Sequence, residues 1–230
     1  MYSEEEFKNG TILLIDKPLH WSSFQAVNKI KWAIRKKYGL KKIKVGHAGT
    51  LDPLATGLLI VCTGKFTKKI PELQGQVKEY TGTISIGATT PSYDLETETD
   101  QTYPTQHITE EKIHHTTAGF IGDIEQVPPV FSAIKKDGKR LYEHARKGEH
   151  VEIASRTINI SVFDITTIRF PELSFRVVCS KGTYIRSLAH DFGKALQSGA
   201  HLSSLRRTGI GEYRVDNAIS PEEFVARLNP

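Results

Sequence analysis

The chain has 230 residues, 31 basic against 26 acidic, for a net charge of +5, with 38% hydrophobic and 25% charged residues. That length and balance describe one sizeable globular domain, which buries about 70% of its unfolded surface, and exclude a disordered chain. Two cysteines without CxxC spacing, an acidic start and no apolar run longer than residues 58–62 argue against a disulfide scaffold, a zinc ribbon, a signal peptide and a membrane span. A reducing, cytoplasmic setting is expected.

Along the chain, residues 11–15 form a short apolar run closed by Asp16-Lys17-Pro18, which predicts a strand ending in a turn. Ser22 and Gln25 form a capping box opening a helix, with Phe24, Val27, Ile30 and Ile34 at helical spacing and Gly39 as its stop. After a glycine-rich stretch, residues 58–62 read as a buried strand. Residues 79–86 alternate Tyr80, Gly82, Ile84 and Ile86 against Thr81, Thr83 and Ser85, the pattern of a strand with two unlike faces. Residues 88–107 carry Thr, Pro and acid without a period and read as a long loop. Thr109 caps a helix with Glu110 and Glu111 in its first turn, ending at Gly119.

Pro128 and Pro129 hold residues 127–131 extended. Residues 139–147 read as helical inside a basic, polar excursion over 128–150. Residues 151–168 and 174–179 supply further strands. The strongest helix follows, with Ile185, Leu188, Ala189, Phe192, Ala195 and Leu196 on one stripe. Ser220, Pro221 and Glu223 start a short terminal helix. Strands and helices mix without βαβ alternation or repeats, so an α+β fold with a large, mixed, mostly antiparallel sheet flanked by helices and loops is expected, as one domain over 1–230.

The charges segregate. Arg35, Lys36, Lys37, Lys41, Lys42 and Lys44 form one basic cluster and Lys135, Lys136, Lys139, Arg140, Arg146 and Lys147 another, while acid collects at Asp94, Glu96, Glu98 and Asp100. Such clusters are either the footprint of a polyanion binder or two solvated helix faces.

In residues 45–59, glycines at 46, 49 and 57 mark special backbone positions, and Asp52 precedes Pro53, which restricts where its carboxylate points. A carboxylate on such a loop is a nucleophile, a base, a metal ligand, or simply part of a turn. Gly64-Lys65 fails as a phosphate-binding loop because Gly57 lies too far upstream and Phe66 stands where the magnesium-binding hydroxyl belongs. Nine histidines form no HxxxH or HExxH pattern, so no metal is expected.

Gly46-His47-Ala48-Gly49-Thr50-Leu51-Asp52-Pro53-Leu54-Ala55-Thr56-Gly57 closely resembles the signature loop of the TruB family of pseudouridine synthases. Further segments resemble the family in order: Asp16-Lys17-Pro18 with Trp21-Ser22-Ser23, then Lys78-Glu79-Tyr80, then Pro128-Pro129-Val130-Phe131 through Lys135 with Gly138-Lys139-Arg140. Gly182-Thr183-Tyr184-Ile185-Arg186 and the segment from Leu202 to Thr208 complete the set.

The resemblance implies the pseudouridine synthase fold, with 128–150 as a thumb-like RNA-binding insertion. It also implies isomerisation of uridine-55 in the T loop of tRNA, without cofactor. By resemblance, Asp52 is the essential carboxylate, Tyr80 stacks on the uracil, Leu205 packs near it, Tyr184 lies close to C5, and Arg186 pairs with Asp52. An Arg in a helix's first turn opposes the dipole, which a carboxylate partner would rationalise. His47 contacts flipped bases and Lys17 supports the catalytic loop. Both basic clusters are candidate phosphate contacts, Lys135, Lys139 and Arg140 foremost.

The sequence stops at Pro230, which implies a short form without the C-terminal PUA module. It argues against the dyskerin branch with its guide RNA and partner proteins. A monomer acting on the tRNA T-arm stem-loop is expected. The rival readings are an RNA-binding tRNA-folding chaperone and a synthase acting on another RNA.

Overall fold

The computed structural model describes residues 2–132, 134–136, 139–141 and 151–228, with the side chains of 135, 136, 139 and 140 outside it. The strands are β1 (Ile12–Lys17), β2 (Val45–His47), β3 (Ala55–Thr63), β4 (Lys78–Ile86), β5 (Ala88–Thr89), β6 (Gln101–Thr102), β7 (Gly122–Gln126), β8 (Lys135–Lys136), β9 (Lys139–Arg140), β10 (Arg156–Arg169), β11 (Glu172–Cys179), β12 (Ala200–Ile210) and β13 (Tyr213–Arg214). The helices are α1 (Glu4–Asn9), α2 (Ser23–Tyr38), α3 (Ile70–Gly75), α4 (Glu110–Ala118), α5 (Ile185–Ala195) and α6 (Pro221–Leu228), with 3-10 turns over Gly64–Lys69 and Val215–Asn217. None of these helices is long and apolar enough to cross a membrane.

The chain divides into two compact units, residues 1–80 with 205–230, and residues 81–204. In the first unit the strand order is β1-β3-β12-β4, with β2 on β3 and β13 on β12. β3 pairs antiparallel with β1 and β2 and parallel with β12. Its run from Leu58 to Cys62 is apolar throughout because both faces are covered. Leu59 and Val61 pack with Ile30 and Ile34 of α2 and Phe224 of α6, while Leu58, Ile60 and Cys62 pack with Ala48, Leu73 and Ile210.

Helix α2 starts as its capping box dictates: Ser22 and Gln25 exchange side-chain-to-backbone bonds, and Gly39 ends it in the left-handed region at φ 62°. One expected core residue is wrong. Phe24 is 69% exposed, because Ala26, Val27, Ile30, Ala33 and Ile34 already fill the buried stripe.

In the second unit the order is β12-β4-β11-β10-β7, with β10 antiparallel to both neighbours. Phe163 of β10 packs edge-on against Phe120, Phe175 and Phe192, so α5 buries its stripe on the sheet. Ala195, expected on that stripe, is exposed at the helix end. Gly82 of β4 has no room for a side chain: a Cβ would lie 2.3 Å from the Ser204 carbonyl oxygen.

Three further expectations are corrected. Residues 88–107 are no plain surface loop: β5 and β6 pair within them, and Thr90, Ser92 and Asp94 are buried. Lys139 and Arg140 are not helical but pair as β9 with β8, and the rest of the expected helix lies outside the described residues. The strand expected from 151 begins at Arg156, where pairing with β7 begins.

Candidate active site

Asp52 stands half-buried in the loop joining β2 to β3, and that loop is tied at each step. Ala48 N donates to the Ile60 carbonyl at 2.9 Å. Leu51 N donates to Ser23 Oγ at 2.8 Å, and Ser23 Oγ donates back to the Leu51 carbonyl at 3.1 Å. His20 N donates to the Pro53 carbonyl at 2.8 Å, and Ala55 N to the Asp52 carbonyl at 3.0 Å. Arg207, 1% exposed, donates Nε to the Leu58 carbonyl at 2.8 Å and Nη2 to the Gly49 carbonyl at 3.1 Å. Gly57, at φ 102°, lets β12 come this close, since a Cβ there would sit 2.3 Å from the Arg207 carbonyl oxygen.

The charges around the loop are concentrated. Lys17 is fully buried and donates Nζ to the carbonyls of Pro18 at 2.9 Å and Trp21 at 2.6 Å. Burial pulls its ammonium down to about 8; Asp52 and Asp16 oppose the fall, and Arg207 adds to it. Asp16 itself is held by a two-pronged bond from Arg206, at 3.0 and 2.7 Å. Asp52 therefore sits near the buried cations Lys17 and Arg207 on a hydrogen-bonded frame.

His47, at the end of β2, is half-buried, and burial lowers its pKa against an opposing contribution from the Gly49 backbone. A neutral imidazole suits hydrogen bonding to a base more than proton donation. Leu205 of β12 stands in register with Ala55, just beyond the Asp52 loop, and Tyr80 is buried on the neighbouring strand β4. The first unit thus gathers Lys17, His47, Asp52, Tyr80 and Leu205.

Tyr184 and Arg186 belong to the second unit. Tyr184 is the N-cap of α5, and the buried Gln126 grips its backbone from both sides: Tyr184 N donates to Oε1 at 2.8 Å, and Nε2 donates to the Tyr184 carbonyl at 3.1 Å. The Arg156 guanidinium lies over the Tyr184 ring at 4.7 Å. Arg186 donates to the carbonyls of Ser92 at 3.0 Å and Phe131 at 2.9 Å, and its Nε lies 3.6 Å from Asp94 Oδ2, with both side chains buried.

Sequence reasoning missed Ser23, Asp94, Gln126 and Arg207. An Arg within an otherwise half-apolar strand was a signal for Arg207; Ser23 stood in a motif and Asp94 in the acidic cluster without a role being assigned, and nothing local marked Gln126. Lys135, Lys139 and Arg140 have backbones in β8 and β9, and their phosphate-contact assignment lies outside what the structure describes. Among the described residues no three His, Cys, Asp or Glu side chains come together as a metal site.

The N-terminal domain model of TruB family pseudouridylate synthases matches residues 35–185, and that of the tRNA pseudouridylate synthase B C-terminal domain matches residues 186–229. The chain belongs to the TruB family of pseudouridylate synthases. It is 71% identical to the tRNA pseudouridine synthase B of Flavobacterium johnsoniae, covering 97% of this chain and 98% of the relative. It is 58% identical to that of Phocaeicola vulgatus, covering 95% and 93%.

A solved Cbf5-Nop10-Gar1 complex contains a chain 30% identical, with TM-score 0.69, covering 95% of this chain and 54% of that one. An H/ACA RNP bound to a substrate RNA containing 2′-deoxyuridine gives 28% identity and the same TM-score, covering 97% and 54%. This chain thus spans about half the length of the structural neighbours it matches. The TruB-family chain is an enzyme of the isomerase class with the pseudouridine synthase fold, and its Asp52 loop lies within the residues that the family's N-terminal model matches.

Proposed function

We propose that this chain converts uridine-55 in the T loop of tRNA to pseudouridine, with Asp52 as the essential carboxylate. The observation that carries the reading is the Asp52 loop, tied through Ser23, His20 and Arg207 and set beside the buried Lys17 ammonium. The two relatives named above, both tRNA pseudouridine synthase B, support the substrate.

The reaction breaks the N1–C1′ bond, forms C5–C1′, releases the C5 proton and leaves N1 to take up a proton from solvent, with no change of oxidation state. It needs an anionic group at the sugar or base, because charge at C1′ becomes oxocarbenium-like, as in glycoside cleavage. Asp52 supplies that anion by attack at C1′, by addition to the base, or by deprotonating C2′. A uridine in a folded loop must first leave its stack. Tyr80 then offers an aromatic face, Leu205 an apolar wall and His47 a contact to flipped bases. Tyr184, as the family motif implies, moves the C5 proton.

The test is tritium release from an unmodified tRNA transcript labelled at C5 of uridine, using only purified chain and transcript. Wild type should release about one equivalent and Asp52→Asn none, without guide RNA or protein partner. Release from an rRNA fragment but not from the tRNA would overturn the substrate. Full release by folded Asp52→Asn would overturn the role of the carboxylate.

A further inference from the structure

At the end of β3 away from the Asp52 loop, three chain segments meet around a cavity of about 380 Å³. Lys8 comes from α1, Lys42 and Lys44 from the segment between α2 and β2, and Lys65, Thr67 and Lys68 from the 3-10 turn that follows β3. The backbone fixes this convergence: Gly64 N donates to the Lys44 carbonyl at 2.9 Å, and Val45 is in register with Thr63. No single stretch of sequence contains the cluster.

The nearby acids are already engaged. Glu4 pairs with Lys8, Glu5 accepts from Asn9, and Glu6 accepts from the Ser3 backbone. Lys65 donates to Asn9 Oδ1 at 3.0 Å. Lys42, Lys44 and Lys68 are exposed and form no ion pair among the described residues. Three like charges converging on one concavity repel one another, and an anion in the cavity relieves that repulsion.

The nine residues of β3 separate this cavity from the Asp52 loop by about 26 Å, at ~3.3 Å per residue. A ligand that engages both ends of the strand is a long polyanion. We infer that the lysine cavity binds backbone phosphates of the substrate RNA, as a second contact remote from the isomerised uridine. The inference rests on the RNA substrate proposed above. It makes the cavity a contributor to affinity and docking, with no part in the chemical step.

The experiment replaces Lys42, Lys44 and Lys68 together with Gln, beside a second variant with all three as Arg. Each phosphate contact contributes about 0.7–0.9 to the slope of log affinity against log salt. Wild type and the Gln variant should therefore differ in slope by about two to three on an unmodified tRNA transcript. The Gln variant should bind about ten- to a hundred-fold more weakly near 0.15 M salt, with KM raised and kcat at saturating tRNA unchanged. The Arg variant should restore both affinity and slope.

An unchanged slope and Kd in a Gln variant that melts like wild type would overturn the inference. So would saturable binding of inorganic phosphate, lost in the Gln variant, with unaltered tRNA affinity, since the cavity would then be a small-anion site. Capture of an acidic protein instead of RNA would also count against it. Failure of the underlying reading is distinguishable, because wild type would then release no tritium from tRNA whatever its salt slope.

Discussion

Replacing Ser23 by Ala removes one hydroxyl that serves both the N–H and the carbonyl of Leu51, the residue before Asp52. Ser23 is 2% exposed and Leu51 4%, so water does not readily take over either bond. Two buried backbone groups are left unmet at ~1–3 kcal/mol apiece. With some of these costs relieved by local relaxation, the loss of stability should be about 2–4 kcal/mol.

The neighbouring Ser22→Ala is the control. Ser22 caps the same helix from an exposed position and does not touch the loop, so it should lose about 1 kcal/mol. The two variants should separate in the chemical step. Freed at Leu51, the Asp52 carboxylate drifts, and a misplacement of ~1 Å costs up to about a hundred-fold in rate. Urea unfolding gives the stabilities, and single-turnover tritium release at saturating tRNA gives the rate. We expect Ser23→Ala to fall ten- to a hundred-fold in rate and Ser22→Ala to stay within two-fold. Equal rates for the two variants, with Ser23→Ala losing less than ~0.5 kcal/mol, would refute the assignment of Ser23 as the clamp on the Asp52 loop.

Lys17 makes stability depend on pH. Its folded value of about 8 lies below the ordinary 10.5, so between those values the unfolded chain holds more protons and stability rises with pH. At 1.36 kcal/mol per pH unit the full rise is ~3 kcal/mol. Urea midpoints from pH 7 to 10 should show wild type gaining on Lys17→Met, and parallel curves would contradict the burial of a charged ammonium. Gln126→Leu removes both bonds to the Tyr184 backbone; the carbonyl keeps its bond from Leu188 N, so the N–H alone is left unmet, at a cost of ~1–3 kcal/mol. It should also slow tritium release while leaving tRNA affinity within about two-fold; unaltered kcat would mean that Tyr184 needs no such hold.

Much of this protein is legible without its structure, because the signals are local. The Ser22–Gln25 box and Gly39 bound α2 within a single element, and the apolar run of β3 and the alternation of β4 announce their burial. The loop bearing Asp52 is recognisable as a pattern of glycines and an Asp-Pro pair, since tight turns and close approaches demand specific residues at fixed offsets.

Other features depend on partners distant in sequence, and no local pattern carries them. Phe24 has the right spacing for the core, yet neighbouring residues fill that face and leave it outside. Asp94, in a stretch as polar as any surface loop, is buried because the Arg186 guanidinium and the Glu96 backbone N–H meet its carboxylate. Arg207 is buried because the carbonyls of Leu58 and Gly49, brought beside it by the parallel pairing of β12 with β3, accept its protons. The lysine cavity is assembled from three segments that mean nothing together until β2 and β3 pair. Periodicity and capping act over a few residues and can be read along the chain; charge burial and cavity formation are settled by which strands become neighbours, and only the folded chain decides that.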